Sequence, residues 1–178
     1  LSTRFDPEDL REVVRAFQDA CAKIVAQYDG YVAKFLGDGI LVYFGYPQAH
    51  ENDAERAVCA GLGIVEAISH IGIINSTLQD VELAVRVGIN TGPVVVGDII
   101  GEGASQQASV VGETPNVAAR LQTLAQPNQV VIGPLTRELI GEAFLCDDLG
   151  GNNIKGIDEP IRAWRVLRAR DTGSSGKP

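Results

Sequence analysis

Three short segments of this 178-residue chain carry side chains whose types and spacing suit work on a polyanion. The first is Lys34-Phe35-Leu36-Gly37-Asp38-Gly39. Glycines on both sides of Asp38 predict a tight hairpin turn that exposes a hard oxygen donor, suited to a cation such as magnesium. Lys34, on the incoming strand, has the reach for a ring nitrogen or a phosphate. Taken alone, a turn aspartate beside a solvated lysine accounts for the same residues. The second segment runs from Ser109 to Arg120. Asn116 and Arg120 are four positions apart, so a helix opening at Thr114 projects both from one face. An amide beside a guanidinium suits an oxyanion or a phosphate that gains charge during reaction, and arginine brings paired planar donors that lysine lacks. A polar helix face with a surface arginine is the plain alternative. The third is Asn153-Ile154-Lys155-Gly156-Ile157, where an ammonium after a strand could meet terminal phosphates; most such lysines are only solvated.

These residues need elements to hold them. Asp6 is a helix cap, Pro7 fits a first turn, and Leu10, Val13, Val14, Phe17, Cys21, Ile24, Val25 and Tyr28 follow helical spacing until Gly30. A hairpin follows, Tyr31 to Phe35 and Ile40 to Phe44, with its turn at Gly37-Asp38-Gly39. Asn52 or Asp53 caps a second long helix whose apolar face includes Ala54, Ala57, Val58, Leu62, Val65 and Ile68. Strands are predicted at Leu83 to Ile89 and Val94 to Ile100, separated by Thr91-Gly92-Pro93. A third helix runs from Thr114 to about Gln126. Shorter elements complete the chain: a strand at Gln129 to Ile132, a helix at Thr136 to Ile140, and strands near Phe144 to Leu149 and Ala163 to Leu167. The pattern predicts an α+β sandwich, helices on one face of a mostly antiparallel sheet. One domain is expected over residues 1–170, with 171–178 a disordered tail.

Composition narrows the function. Hydrophobic residues make up 45% and charged residues 21%, enough for a globular core. The formal net charge of −8 argues against non-specific binding to nucleic acid or an anionic membrane surface, but not against a nucleotide held by a few placed cations. Cys21, Cys59 and Cys146 have no metal-ligand spacing; an odd, scattered set reads as reduced and buried, hence a cytoplasmic location. No apolar run approaches the roughly 18 residues of a membrane helix. Gly173-Ser174-Ser175-Gly176-Lys177 is too short between its glycines for a phosphate loop and belongs to the tail. His50 and His70 read as helix-flanking surface residues without partners, and Trp164 as core.

Together the three segments, with Arg86-Val87-Gly88-Ile89-Asn90-Thr91-Gly92 between them, resemble the class III adenylate and guanylate cyclase catalytic domain, in its bacterial branch related to soluble adenylate cyclases. The resemblance spans about Leu1 to Val166. It implies a ferredoxin-like palm fold, two divalent ions (magnesium or manganese), and in-line attack of the ribose 3′-hydroxyl on the α-phosphorus with pyrophosphate leaving. By the same resemblance Asp38 is a metal ligand, Lys34 and Ser109 select the base, Asn116 orients the ribose, Arg120 stabilises the transition state, and Lys155 binds the β- and γ-phosphates. Lys34 points to ATP and cyclic AMP; Ser109 departs from the commoner aspartate or threonine but keeps a hydroxyl. The resemblance also implies a head-to-tail homodimer, Asp38 coming from one subunit and the other five residues from its partner.

The family's other metal-binding aspartate lies on a strand just before Leu1. An apolar first helix needs that strand to cover, and Leu1 to Phe5 is too short and polar to supply it. The chain therefore reads as trimmed at its start and, as it stands, inactive or nearly so. Two alternatives remain open: a catalytically inactive cyclase-like domain that binds nucleotide or a partner, and a guanylate cyclase. A diguanylate cyclase is disfavoured, because its Gly-Gly-Asp/Glu-Glu-Phe hairpin is replaced by Gly37-Asp38-Gly39.

Overall fold

The computed structural model describes residues 7–36, 39–74, 83–95, 113–152 and 160–170. The chain is α+β and divides into two compact units, Leu1–Val85 and Arg86–Pro178.

The first unit holds helix α1 (Pro7–Gln27), strands β1 (Tyr31–Leu36) and β2 (Gly39–Tyr43), and helix α2 (Asp53–Ile74). Pro7 takes the first helical position, where a missing N–H has no intrahelical partner to lose. The cap expected at Asp6 lies outside the described residues. At its other end α1 closes with the Gly30 N–H donating to the Val25 carbonyl at 2.8 Å and the Asp29 N–H to Ala26 at 3.1 Å. In this closure the left-handed residue is Asp29, with φ 60°, rather than Gly30. Gly30 is needed for a different reason: a Cβ there would lie 2.7 Å from Val25 Cγ1 and 2.8 Å from the Phe44 ring.

The helices meet through Cys21 and Val25 of α1 and Ile64 and Ile68 of α2, all buried, with Val32, Ile40 and Val42 of the hairpin packed against them. Leu83 and Val85, expected to begin a strand, join this core instead, and the strand itself starts at Arg86. Burial is what holds this unit together, each fully covered aliphatic side chain contributing about 1.5–3 kcal/mol. His50 and His70 are not without partners. His50 Nδ1 is 3.3 Å from Asp53 and Nε2 is 3.9 Å from Asp29, which also accepts from Arg56 at 3.0 Å. The turn before α2 is thereby tied to the end of α1. His70 bonds back to the Glu66 carbonyl within α2 at 2.8 Å.

The second unit holds β3 (Arg86–Ile89), α3 (Glu113–Leu124), β4 (Gln129–Ile132), α4 (Pro134–Ile140), β5 (Phe144–Asn152) and β6 (Ile161–Ala169). Its sheet runs β3-β4-β6-β5, with β3 and β4 parallel and the other two pairings antiparallel. Strand β4 lies between two neighbours, and Val130, Val131 and Ile132 are all buried, as an unbroken apolar run requires. Val117, Leu121 and Ala125 pack with Val131 and Ala163, seating α3 on the sheet. The strand expected at Val94 to Ile100 lies outside the described residues beyond Val95, as does the tail. Trp164 is half-buried rather than core, because the Arg162 guanidinium covers its ring at 5.1 Å. Arg162 and Arg165 pair with Asp148 and Asp147 across the β5–β6 ladder.

All three cysteines are free; only Cys21 is fully buried, Cys59 and Cys146 being partly exposed. Burial pushes the Cys21 thiol from an ordinary 9.0 to about 11. The folded chain therefore keeps a proton that the unfolded chain releases first. The associated stability is complete below pH 9.0 and is lost as pH rises through about 11. Urea unfolding across this alkaline range should show the native chain losing stability relative to Cys21→Val, whose side chain fills similar space without titrating. Parallel decline of the two proteins would show that the thiol carries no such linkage.

Candidate functional site

In the first unit, β1 and β2 pair antiparallel with Leu36 opposite Gly39, so Gly37 and Asp38 are the two residues joining them. Asp38 itself lies outside the described residues. Lys34 pairs with Leu41 and is exposed. Val32 pairs with Val42, one step away on β2 but two steps on β1, which makes Ala33 a bulge. A bulge shifts the alternation of a strand and re-aims the side chains after it. Beyond the bulge Lys34, Phe35 and Leu36 are all exposed, so neither face of the hairpin's end is covered among the described residues.

In the second unit, α3 carries Asn116 and Arg120. Both are exposed, one turn apart, on the side away from buried Val117 and Leu121. Among the described residues neither side chain has a hydrogen-bond or ion-pair partner. Arg56, Arg162 and Arg165 behave differently, each being paired with an aspartate. An amide and a guanidinium on one exposed face can both donate to a single anionic group. Ser109 precedes this helix and Lys155 falls in the connection between β5 and β6; both lie outside the described residues. The structure thus brings Asn116 and Arg120 together on one surface and places Lys34 in the other unit.

Several residues that hold α3 were not singled out by residue type. Gly88 on β3 faces the helix backbone so closely that a Cβ would overlap the Ala118 carbonyl oxygen and the Gln122 amide nitrogen. The Asn90 side-chain amide donates to the Thr114 carbonyl at 3.2 Å, and the Thr114 hydroxyl donates to the Pro93 carbonyl at 2.8 Å. The signal lay in Arg86-Val87-Gly88-Ile89-Asn90-Thr91-Gly92, where a glycine inside a strand marks close backbone approach.

For a metal ion, the described residues contain no group of three or more histidine, cysteine or acidic side chains able to hold one. Asp38, expected as a metal ligand, lies outside them; a carboxylate is the right chemistry for a hard divalent cation. Among the described residues no helix is long and apolar enough to cross a membrane.

Residues 1–167 match the family model of the adenylate and guanylate cyclase catalytic domain. An uncharacterized protein of Rhizobium meliloti (strain 1021) is 36% identical over 162 residues, or 91% of this chain, and the chain spans 15% of that relative's length. The solved guanylyl cyclase Cya2 superimposes with a TM-score of 0.82 at 29% identity, over 96% of this chain and 86% of that one. The adenylyl cyclase CyaB from P. aeruginosa gives 0.79 at 26% identity, over 96% and 88%.

The contrast between what holds α3 and what α3 displays is measurable. Gly88→Val should lower unfolding stability by about 1–3 kcal/mol or more, because β3 or α3 must move to admit the side chain. Arg120→Ala should stay within about 0.5 kcal/mol of the parent, since nothing described leans on it. Urea denaturation midpoints of the two variants test both; a large loss in Arg120→Ala would make that arginine structural.

Proposed function

The chain belongs to the adenylate and guanylate cyclase catalytic domain family, and from that premise we propose that the full-length protein carrying it converts ATP into 3′,5′-cyclic AMP and pyrophosphate. The observation carrying this reading is the pairing of Asn116 and Arg120 on the exposed face of α3, with no partner among the described residues. In the proposed reaction the Asn116 amide orients the ribose, so that its 3′-hydroxyl stands in line with the α-phosphorus. The Arg120 guanidinium meets the negative charge that builds on the α-phosphate oxygens as the leaving group departs, a stronger interaction in the transition state than in the bound substrate. Lys155 neutralises the β- and γ-phosphates. Asp38 would hold divalent metal, which when bound lowers the pKa of the attacking hydroxyl and offsets charge on pyrophosphate.

Lys34 favours adenine over guanine, because its ammonium can only donate and adenine presents ring-nitrogen acceptors along that edge. Ser109, the second base-facing position, can donate or accept and so discriminates less. The site is completed by a second copy of the chain arranged head to tail, with Asp38 from one subunit and Lys34, Ser109, Asn116, Arg120 and Lys155 from its partner. A cytoplasmic location, where ATP and magnesium are supplied, belongs to the same proposal.

Full-length protein incubated with ATP or GTP and magnesium or manganese should form cyclic AMP in preference to cyclic GMP. Asn116→Ala and Arg120→Ala should each lower kcat by about 10²–10³-fold, the loss typical of one charge-stabilising donor. Inactive Asp38→Ala and Arg120→Ala chains mixed in equal amounts should regain about a quarter of the parent activity, because half the dimers are mixed and each then holds one intact site. Cyclic GMP as the main product would favour the guanylate reading, and nucleotide binding without turnover the inactive one. No recovery on mixing would count against a shared site.

A further inference from the structure

The first turn of α3 is gripped from outside. Four consecutive residues after β3, Asn90 to Pro93, each touch a neighbouring helix start. The Thr114 carbonyl can only accept, so the half-buried Asn90 side chain must turn its NH2 toward it, at 3.2 Å. The other end of that amide, Oδ1, faces Gly133, where even a Cβ would come within 2.8 Å. There is room for the Asn90 amide only because residue 133 has no side chain. Gly133 is itself tied to β3, its N–H donating to the Ile89 carbonyl at 3.1 Å. The Thr114 hydroxyl donates to the Pro93 carbonyl at 2.8 Å, and a Cβ on Gly92 would approach that hydroxyl to 2.6 Å. Thr91 shares a 2.6 Å hydroxyl–hydroxyl bond with Thr136 of α4, which is fully buried. The turn that contacts α3 is therefore anchored on its far side as well.

Asn116 is two residues beyond Thr114, and Arg120 is one helical turn further on. Gly88 sets how near β3 and α3 come, but a close contact between a flat strand and a helix backbone leaves rotation about the helix axis less constrained than separation. A hydrogen bond at the helix's first turn, off the contact line, fixes that rotation. We propose that Asn90 is a positioning residue for the cyclase reaction, setting the rotation of α3 that aims Asn116 at the ribose and Arg120 at the reacting phosphate. This rests on the function proposed above. Misplacement by about 1 Å at a reacting centre can cost on the order of 10²-fold in rate. Ground-state nucleotide affinity, shared with Lys34, Ser109 and Lys155, depends less on the aim of α3.

Asn90→Asp keeps the shape and removes the donor; as a carboxylate it faces the Thr114 carbonyl with like charge. Asn90→Ala removes the group altogether. In the full-length protein both variants should lower kcat by about ten- to a hundredfold with KM changed by no more than about twofold, the signature of lost transition-state aim rather than lost binding. Asn90→Asp should recover toward the parent as pH falls, because a protonated carboxyl can again donate to Thr114. Amide exchange on nucleotide-free protein reads the anchor separately. The amides of Val117 and Ala118, which bond back to the first turn, should exchange about tenfold faster in both variants, with Val130 to Ile132 of β4 unchanged. Unchanged exchange in α3 would overturn the inference whatever the protein's product. Faster exchange with kcat retained, or with a loss seen equally in KM, would overturn it as well and leave Asn90 purely structural. If exchange rises but the parent protein forms no cyclic nucleotide, the cyclase reading has failed, and the positioning role falls with it.

Discussion

The second unit depends on one close approach, the passage of Gly88 against the backbone of α3. The helix comes so near that any side chain at this position would occupy the space of the Ala118 carbonyl and the Gln122 amide. Close approach lets Val117 and Leu121 reach the sheet, where Leu121 is fully buried beside Val131 and Ala163. Once that inner face is committed, helical geometry sends Asn116 and Arg120 outward. The exposure of the two polar residues is thus a consequence of how deeply the apolar ones are seated. Strand β4 makes this possible through Val131, the residue of its buried run that faces the helix.

The first unit solves a different problem, holding a two-stranded hairpin that by itself would be marginal. Its strands gain stability by covering the α1–α2 pair through Val32, Ile40 and Val42. The helix end is pinned by backbone bonds from Asp29 and Gly30, and Asp29 then serves twice, as the left-handed closing residue and as a carboxylate for Arg56. The bulge at Ala33 releases Lys34 from the alternation that would otherwise govern it. Both units place a cationic side chain on an exposed surface, Lys34 in the first and Arg120 in the second. In a chain of net charge −8, such positions stand out electrostatically.

Much of this was legible beforehand. Helical spacing in α1, the short β4 strand, and the four-residue interval between Asn116 and Arg120 depend on local periodicity, and local periodicity is written in the residue order. The α+β class followed from the same patterns, and the family resemblance from the residues of the three motif segments and the strand between them. Errors arose where a distant partner decided the outcome. Leu83 and Val85 read as strand because they are apolar and alternating, yet they are drawn into the core beside Cys21 and Val25. Of the two carboxylates beside His50, Asp53 is three positions on and within reach of a local reading, whereas Asp29 is 21 positions back and is not.

The sequence by itself determined the elements, their order, and which residue types could meet a nucleotide, because those properties belong to neighbours along the chain. Tertiary structure alone decided that Gly30 is required by packing rather than by its own dihedral, that Ala33 bulges, and that Asn90 bonds to Thr114 24 residues on. Each of these depends on a distance between segments, and such distances exist only once burial has chosen which faces meet.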